Sequence, residues 1–334
     1  MPGSLGCIPS KWDNRNLKYI VRAPTFDEYQ TIPEEYDGLA SYVNCLGSQG
    51  QNGTCCGWAG AVLMKTLISL NDKRDILPSA GSIYGRSRKY NTPIIPDTQD
   101  GSYPLSVMKV LQKEGCTTEL CSPTDIEKPF ELKECVEADN IAADYKISSY
   151  HSVPTDPASM KAAIYGITFI QPYKMNDGSP GKCPLYVAIP VTNNFYNVGN
   201  SGIVSLPIPN EYIIGYHAVV IRGWKKIDNQ EYWIVVNSWG IHNGDKGIYY
   251  LPIGYTISEA WMVTDDNSLA PLPKPIPPDP LPVPPEPLPK PPQPQPTPSK
   301  CKIGNSIAST MNVIGMQKLR NRKGRFMYLN PQGE

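Results

Sequence analysis

Residues 49–59 read QGQNGTCCGWA, and they lead into an apolar run of helical period. The apolar positions of that run are Ala59, Ala61, Val62, Leu63, Leu67 and Ile68. This spacing predicts a helix that begins at Cys55. A thiol at a helix N-terminus faces unpaired backbone N–H groups and the positive end of the helix dipole, which favour thiolate over thiol. The side-chain amide of Gln49, six residues earlier, can reach the atom that such a thiolate attacks. The stretch therefore indicates a nucleophilic cysteine.

Two later segments supply the groups that a nucleophilic cysteine needs. Residues 216–224 read YHAVVIRGW and carry His217, one of three histidines in the chain. Residues 232–240 read YWIVVNSWG, a second apolar strand that ends at Asn237. A cysteine, a histidine and an asparagine at the edges of regular elements provide a nucleophile, a base and a group that orients the base.

On these motifs the chain resembles the papain-like cysteine peptidases. Residues 49–55 follow the family pattern Q-G-x-C-G-S-C, residues 217–219 follow H-A-V, and residues 237–240 follow N-S-W-G. Residues 100–104, DGSYP, resemble the N-G-G-Y-P turn that holds the backbone of a substrate as a short strand. The histidine follows the cysteine at somewhat more than the roughly 130–150 residues usual for the family, and a polar insertion around residues 176–212 accounts for the excess. The resemblance covers about residues 31–265.

The resemblance implies a role for each site residue. Cys55 is the expected nucleophile, with a pKa lowered by the His217 imidazolium and by the helix end. His217 then protonates the leaving amine as a general acid. Asn237 is expected to hold the imidazole in its productive orientation, and Trp239 to shield that hydrogen bond from water. The amide of Gln49 and the backbone N–H of Cys55 are expected to form the oxyanion hole. The resemblance implies no cofactor.

The same resemblance assigns the contacts with substrate. The pocket for the second side chain before the cleaved bond is expected to draw on the residues Gly101, Ser102, Gly215 and Tyr216. We expect this pocket to favour an apolar side chain.

Two adjacent cysteines compete for the role of nucleophile. The position six before Cys56 is Gly50, which has no side chain to polarise a carbonyl group, whereas the position six before Cys55 is Gln49. We therefore assign the nucleophile to Cys55. Cys56 stands where the family usually has tryptophan, and we interpret it as a small buried apolar residue.

The remaining cysteines do not form a recognisable framework. Asn52 stands where secreted relatives carry a bridged cysteine, so that bridge cannot form. The chain has nine cysteines, an odd number, and seven of them lie outside the adjacent pair: Cys7, Cys45, Cys116, Cys121, Cys135, Cys183 and Cys301. This distribution favours free thiols in a reducing compartment. Cys116 and Cys121 lack a second pair or a nearby histidine, so we predict no metal site.

The sequence divides into four segments. Residues 1–30 form a short N-terminal leader that resembles the leader of bacterial, archaeal and large-DNA-virus members of the family. Two interpretations remain open for it, a cap over the cleft or a structural strap. Residues 31–268 form the predicted peptidase domain, residues 269–299 a proline-rich spacer, and residues 300–334 a basic tail. Sixteen of the residues 271–298 are proline, a composition that favours extended polyproline II.

The basic tail predicts docking on an acidic surface of a protein, a nucleic acid or a lipid membrane. The alternatives are a solvated, disordered tail and, for the spacer, a ligand of SH3-type domains. The N-terminus lacks a signal peptide, and no apolar run is long enough to span a membrane. We therefore expect a cytoplasmic or virion-associated protein that is not secreted by a signal peptide.

The predicted fold class is α+β, a papain-like fold of two subdomains with a disordered, proline-rich C-terminal extension. We predict helices over residues 55–70 and 104–114, which place the thiol in a helical half. The predicted strands form an antiparallel, β-barrel-like half that carries the base, and they span residues 185–191, 202–206, 213–224, 231–237 and 247–251. The cleft is expected between the two halves.

The predicted function is hydrolysis of peptide bonds by an intracellular cysteine endopeptidase with a monomeric catalytic domain, acting on proteins and peptides. Two alternatives remain at this point. One is a catalytically silent papain-like domain that binds a partner or serves a structural role. The other is a thiol enzyme that transfers acyl groups or removes a peptide-linked modifier. The remaining histidines are interpreted as a structural residue, His151, and a loop residue at the edge of the cleft or in solvent, His242.

Overall fold

The computed structural model describes residues 3–11, 25–71, 75–128, 131–167, 182–265, 318–320 and 326–328. The chain separates into two compact units, Met1–Pro275 and Ile276–Glu334. In the second unit the described residues form two short antiparallel strands, β7 (Lys318–Arg320) and β8 (Phe326–Tyr328). The predicted spacer, and the basic tail apart from these two strands, lie outside the described residues. No helix in the described part of the chain is long and apolar enough to cross a membrane.

The helical half of the first unit is built around one long helix. This helix, α2 (Cys55–Asn71), begins at the predicted nucleophile and is buried from its first residue through Met64. Gly57 lets the next helix approach closely, because a Cβ at this position would lie 2.3 Å from the carbonyl oxygen of Ala80. The helices are α1 (Phe26–Gln30), α2 (Cys55–Asn71), α3 (Ala80–Arg88), α4 (Pro104–Lys113), α5 (Ala138–Ala143) and α6 (Pro157–Tyr165). The predicted helices at residues 55–70 and 104–114 are confirmed.

The other half is a six-stranded antiparallel sheet in the order β1-β6-β2-β3-β4-β5. Its strands are β1 (Ser149–Val153), β2 (Leu185–Val191), β3 (Gly215–Ile227), β4 (Gln230–Val236), β5 (Ile248–Pro252) and β6 (Glu259–Thr264). A two-residue turn joins β3 to β4, and both of its residues, Asp228 and Asn229, have a positive φ, as a tight hairpin requires. Strand β2 is buried along its whole length, so the sheet has a covered centre.

The strand predicted at residues 202–206 is wrong. Only Ile203 makes an isolated bridge there, to Tyr250. Gly202 has a φ of 70° and follows a short 3₁₀ turn at Gly199–Ser201. This left-handed residue interrupts the extended backbone that a strand needs. The predicted α+β papain-like architecture itself is confirmed.

The expectation of free thiols is wrong for two cysteines. Cys121 and Cys135 form a disulfide, with their Cα atoms 5.0 Å apart. The backbone N–H of Cys135 donates a hydrogen bond to the carbonyl oxygen of Cys121 at 2.8 Å, so the loop brings the two residues together before any covalent bond is considered. Cys301 lies outside the described residues, and the other described cysteines are free: Cys7, Cys45, Cys55, Cys56, Cys116 and Cys183.

Candidate active site

Cys55 is the first residue of α2, and its side chain is buried. The carbonyl oxygen of Thr54 accepts hydrogen bonds from the N–H groups of Gly57 and Trp58 at 2.9 and 3.3 Å. These bonds start the helix immediately before the thiol. The backbone therefore places the predicted nucleophile at a helix N-terminus, as the sequence predicts.

His217 and Asn237 come from the two neighbouring strands of the central hairpin. His217 lies on β3 and Asn237 follows the last residue of β4. The Nε2 atom of His217 donates a hydrogen bond to Oδ1 of Asn237 at 2.8 Å. The same Oδ1 accepts a bond from the N–H of Ser238 at 2.7 Å, which fixes the orientation of the asparagine amide. A proton on Nε2 leaves Nδ1 of the neutral imidazole as a proton acceptor.

The imidazole of His217 interacts with the thiol of Cys55, and this interaction lowers the pKa of the thiol. Burial has the larger effect, however, and raises the pKa of Cys55 well above its usual value; contact with Cys56 adds to the rise. The expectation of a depressed pKa is therefore wrong for the form described here. The pKa of Cys55 is raised because the thiol is fully shielded from water, which disfavours the charged thiolate.

An aromatic cage encloses the imidazole, and it contains the predicted shield. The ring of Trp239 lies 4.9 Å from the ring of His217, between centroids. Tyr196 stacks on Trp239 at 5.1 Å with an interplanar angle of 7°, and Phe195 meets the indole edge-on at 5.5 Å. Sequence reasoning missed Phe195 and Tyr196, because they lie in the stretch that we interpreted as a polar insertion.

Gln49 is buried and held at both ends of its side-chain amide. Its Oε1 accepts a hydrogen bond from the hydroxyl of Ser238 at 2.6 Å. Its Nε2 donates to the carbonyl oxygens of Ser4 and Asn52 at 2.8 and 2.7 Å. Ser238 therefore aims the amide N–H at a peptide carbonyl of the leader. Sequence reasoning missed Ser238, although its place directly after Asn237 was a signal.

The leader residues 3–11 occupy the groove beside these groups. Gly6 accepts a hydrogen bond from the N–H of Ser102 at 3.0 Å, and Ile8 donates one to the carbonyl oxygen of Ser102 at 3.1 Å. On the opposite side, the N–H of Cys7 donates to the carbonyl oxygen of Tyr216 at 3.3 Å. Two of the predicted substrate contacts thus hold the leader as a short strand.

The two predicted glycines complete this groove. A Cβ at Gly215 would lie 2.7 Å from the side chain of Leu5. A Cβ at Gly101 would lie 3.0 Å from the carbonyl oxygen of Gly6, and the φ of Gly101 is 123°. Both positions therefore need glycine while the leader is in place. All four predicted substrate-binding residues line the path of the leader.

A buried carboxyl group marks the far end of this path. Oε1 of Glu259 accepts a hydrogen bond from the N–H of Ser10 at 2.7 Å, and Oε2 accepts one from Nε1 of Trp261 at 2.9 Å. Burial raises the pKa of Glu259. The carboxyl group borders a cavity of about 340 Å³. Sequence reasoning missed Glu259, because β6 was not among the predicted strands.

The other histidines lie apart from this centre. His151 is buried on β1, where its Nε2 pairs with the hydroxyl of Ser149 at 2.8 Å. His242 is exposed in the loop after Gly240. Within the described ranges, no group of three or more histidine, cysteine or acidic side chains is arranged to hold a metal ion.

Similarity to known proteins covers this same region. The chain is 22% identical over 238 residues to a cysteine protease of Blomia tropicalis, an alignment that spans 70% of this chain and 66% of the relative. It is 26% identical over 251 residues to cathepsin B-like CP2 of Giardia intestinalis, spanning 70% of this chain and 74% of the relative. The chain thus spans about two thirds to three quarters of the length of these relatives.

A solved structure agrees with the sequence matches. Xylellain, a cysteine protease from Xylella fastidiosa, superimposes with a TM-score of 0.61 at 25% identity, and the match covers 78% of this chain and 96% of xylellain. Residues 32–263 match the sequence profile described as papain family cysteine protease. The chain belongs to the papain family of cysteine proteases and is a hydrolase of the cysteine-peptidase type.

Proposed function

We propose that this protein is an endopeptidase that cleaves peptide bonds through a thiolate–imidazolium pair of Cys55 and His217. The observation that carries the proposal is the convergence at one buried point of a helix-terminal thiol, an oriented imidazole and an amide donor. That donor, Nε2 of Gln49, already binds a peptide carbonyl, the one of Ser4 at 2.8 Å. A substrate carbonyl in the same place would accept the same hydrogen bond.

The proposed reaction starts when His217 takes the proton of the Cys55 thiol. The thiolate attacks the carbonyl carbon of the substrate, and the developing oxyanion receives hydrogen bonds from Nε2 of Gln49 and the N–H of Cys55. The imidazolium then gives its proton to the leaving amine, which departs and leaves a thioester. A water molecule, deprotonated by the imidazole, hydrolyses the thioester and regenerates the thiol.

Asn237 and Trp239 act on the imidazole rather than on the substrate. The hydrogen bond from Nε2 of His217 to Asn237 fixes the tautomer that leaves Nδ1 available for the thiol proton. The indole of Trp239 covers this bond on one side, which strengthens it by excluding water. Both are positioning residues in the proposed mechanism.

We further propose that the leader acts as a cap. Its carbonyl group occupies the amide donor of Gln49, and its backbone occupies the hydrogen-bonding edge of Ser102. A substrate must displace these residues before it can bind. Displacement also admits water, which removes the desolvation that raises the pKa of Cys55. The interaction with His217 then dominates and favours the thiolate.

We propose that the protein acts in the cytoplasm or in a virion, and that the basic residues 300–334 dock on an acidic surface. Fluorescent fusions of the full chain and of a chain that ends at Asp266 test both points. Loss of localisation in the shorter chain supports docking, and identical distributions contradict it.

Incubation with a library of proteome-derived peptides tests the proposed activity. Mass spectrometry of the products is expected to show new N- and C-termini produced by hydrolysis. Cleavage should disappear in Cys55→Ala and persist in Cys45→Ser, a matched cysteine substitution outside the groove. Because the leader covers the groove, the variant Gly6→Leu, which displaces it, is included.

Three outcomes would distinguish the alternatives. Products that carry an added amine at their new C-terminus would identify acyl transfer instead of hydrolysis. Absence of any new terminus, even in Gly6→Leu, would identify a catalytically silent domain. Cleavage that survives Cys55→Ala would contradict the assignment of the nucleophile.

A further inference from the structure

Three thiols cluster where the leader crosses the start of α2, although the proposed reaction uses only one of them. The Sγ atom of Cys56 lies 3.9 Å from the carbonyl oxygen of Gly6, the residue directly before Cys7 in the leader, and Cys55 directly precedes Cys56 at the start of α2. Cys7 and Cys56 influence each other's pKa, as do Cys56 and Cys55. All three are buried. We call these three residues the thiol row. Cys56 Sγ also approaches the carbonyl oxygen of Ser102 at 3.2 Å, so the row lies directly under the strand-like part of the leader.

Within the thiol row, Cys7 and Cys56 are held in place independently of each other. Cys7 is fixed by the hydrogen bond of its own N–H to Tyr216, and its neighbours Gly6 and Ile8 are bonded to Ser102. Cys56 is the second residue of α2, whose first two turns are buried in the core. Two cysteines far apart in sequence are therefore brought together by backbone interactions alone. Cys7 and Cys56 therefore differ from a lone buried cysteine, because the fold supplies each with a partner.

We propose that Cys7 and Cys56 form a reversible disulfide that locks the leader over Cys55. The covalent bond converts a cap that a substrate can displace into one that it cannot. The regulatory consequence rests on the proposed peptidase function, whereas the bond itself does not. In reducing conditions the leader is held by hydrogen bonds and packing, and the groove can open.

The other two pairings within the thiol row are less suitable. Adjacent residues such as Cys55 and Cys56 have Cα atoms about 3.8 Å apart, shorter than the roughly 4.4–6.8 Å that disulfides span. Cys56, in contrast, has its Sγ atom 3.9 Å from the carbonyl oxygen of Gly6, the residue directly before Cys7. The geometry thus selects Cys7 and Cys56, and it leaves the nucleophile as a thiol.

The oxidant in this proposal is a low-molecular-weight disulfide, such as oxidised glutathione. One cysteine thiolate attacks a sulfur of this disulfide, which releases one thiol and leaves a mixed disulfide. The second cysteine attacks the protein sulfur of the mixed disulfide and releases the second thiol. Two protein thiols are oxidised and one small disulfide is reduced to two thiols, so electrons and protons balance.

Access of the oxidant requires a local opening of the leader. Burial raises the pKa of Cys7 to about 11, so the closed form contains little of the reactive thiolate. A few backbone hydrogen bonds outside the sheet hold the leader in the groove, and such segments open at lower cost than the core. Oxidation is therefore expected to follow opening and to trap the leader when it closes again.

The test uses the full-length Cys55→Ser variant, in which the proposed nucleophile cannot interfere. The protein is equilibrated in buffers of graded ratio of oxidised to reduced glutathione, alkylated and digested with trypsin without reduction. Cleavage after Lys11, Arg22 and Lys65 places Cys7 in peptide 1–11 and Cys56 in peptide 23–65. The expected result is a disulfide-linked pair of these two peptides that disappears after reduction.

A matched pair of variants identifies the partner, because peptide 23–65 also contains Cys45. In the Cys55→Ser background, the linked pair should persist in Cys45→Ser and be lost in Cys56→Ser. Cys7 that remains fully alkylated at every ratio, or that links to Cys45, would overturn the proposal. So would a Cys7 that carries only glutathione.

A second measurement reports on the lock itself. Binding of a fluorescent peptide to the same Cys55→Ser protein is followed by anisotropy in the oxidised and the reduced state. Binding is expected in the reduced state and should be lost in the oxidised state. If the linked peptide pair forms but the fluorescent peptide binds equally in both states, the disulfide exists but does not lock the leader over the groove. Peptide binding in neither state, with the linked pair present, would count against the proposed function instead.

Discussion

The leader and the central hairpin meet at the same groups but are held in different ways. His217 and Asn237 belong to or adjoin β3 and β4, which pair with each other along most of their length within a six-stranded sheet. The leader reaches the same groove through hydrogen bonds to Gln49, Ser102 and Tyr216, and its far end is bonded to Leu105 and Glu259. His217 and Asn237 are therefore held as firmly as the sheet itself. The leader that covers them is held only by local hydrogen bonds, and it is expected to open more easily.

Close approach explains how so short a segment fills the groove. A Cβ at Gly6 would lie 1.8 Å from the carbonyl oxygen of Gly53, and one at Gly3 would lie 2.4 Å from Cδ1 of Trp239. The leader fits because these positions lack side chains. We therefore expect substitutions in the leader to change the access of substrate to the groove. Substitutions in α2 and the sheet are expected to change the rate of the reaction itself.

The largest expected effect is on the scaffold side, at the nucleophile. Cys55→Ala should reduce peptide hydrolysis by on the order of 10⁴–10⁶-fold, as removal of a catalytic nucleophile does elsewhere. The melting temperature should change little, because alanine fills most of the space of the buried thiol. Steady-state kinetics and thermal unfolding check both points. Cys56→Ser, at the neighbouring position, should retain most of the activity, and its total inactivation would move the nucleophile to Cys56.

The next effect concerns the amide donor. Gln49→Ala should lower kcat by roughly 10²–10³-fold, because the oxyanion loses one hydrogen bond. The matched control is Gln51→Ala, an exposed glutamine two residues away, which should leave kcat unchanged. A fall in KM without a change in kcat in Gln49→Ala would show that this amide only holds the leader.

A smaller effect, of opposite sign, is expected from the leader. Gly6→Leu should raise the initial rate of hydrolysis several-fold, because the new side chain collides with the backbone of Gly53 and displaces the cap. Gly254→Ala serves as the control, since the nearest atom to its Cβ is 4.0 Å away. An unchanged rate in Gly6→Leu would favour the strap interpretation of residues 1–30 over the cap.

The smallest effect is predicted for the C-terminal segments. A chain that ends at Asp266 should hydrolyse peptides at the rate of the full chain, because the family profile and the site both lie before this residue. Parallel progress curves at equal enzyme concentration measure the difference. A large loss of activity would make the segments after residue 268 part of the catalytic unit.

The sequence predicted those parts of the fold and site that depend on local pattern. The helix from Cys55 and strand β2 follow from the pattern of apolar residues, and the structure confirms them. The resemblance implied the contact of His217 with Asn237, and the pairing of β3 with β4 brings the two residues together. These features need only neighbours in the chain or in the sheet.

The features that the sequence did not predict depend on contacts between distant segments. The Cys121–Cys135 disulfide is one of many possible pairings of nine cysteines, and spacing does not select it. The raised pKa of Cys55 depends on its burial in the folded chain, which the local sequence pattern does not show. Glu259 reaches the groove only because β6 lies between β1 and β2 in the sheet.

Affinity labelling tests the central claim most directly. Wild type, Gly6→Leu and Gly6→Leu/His217→Ala are treated with a peptidyl epoxide, and the modified cysteine is mapped by mass spectrometry. The account predicts selective modification of Cys55, faster in Gly6→Leu than in wild type and abolished when His217 is replaced. A label spread evenly over the free thiols, or a rate at Cys55 that does not depend on His217, would contradict it.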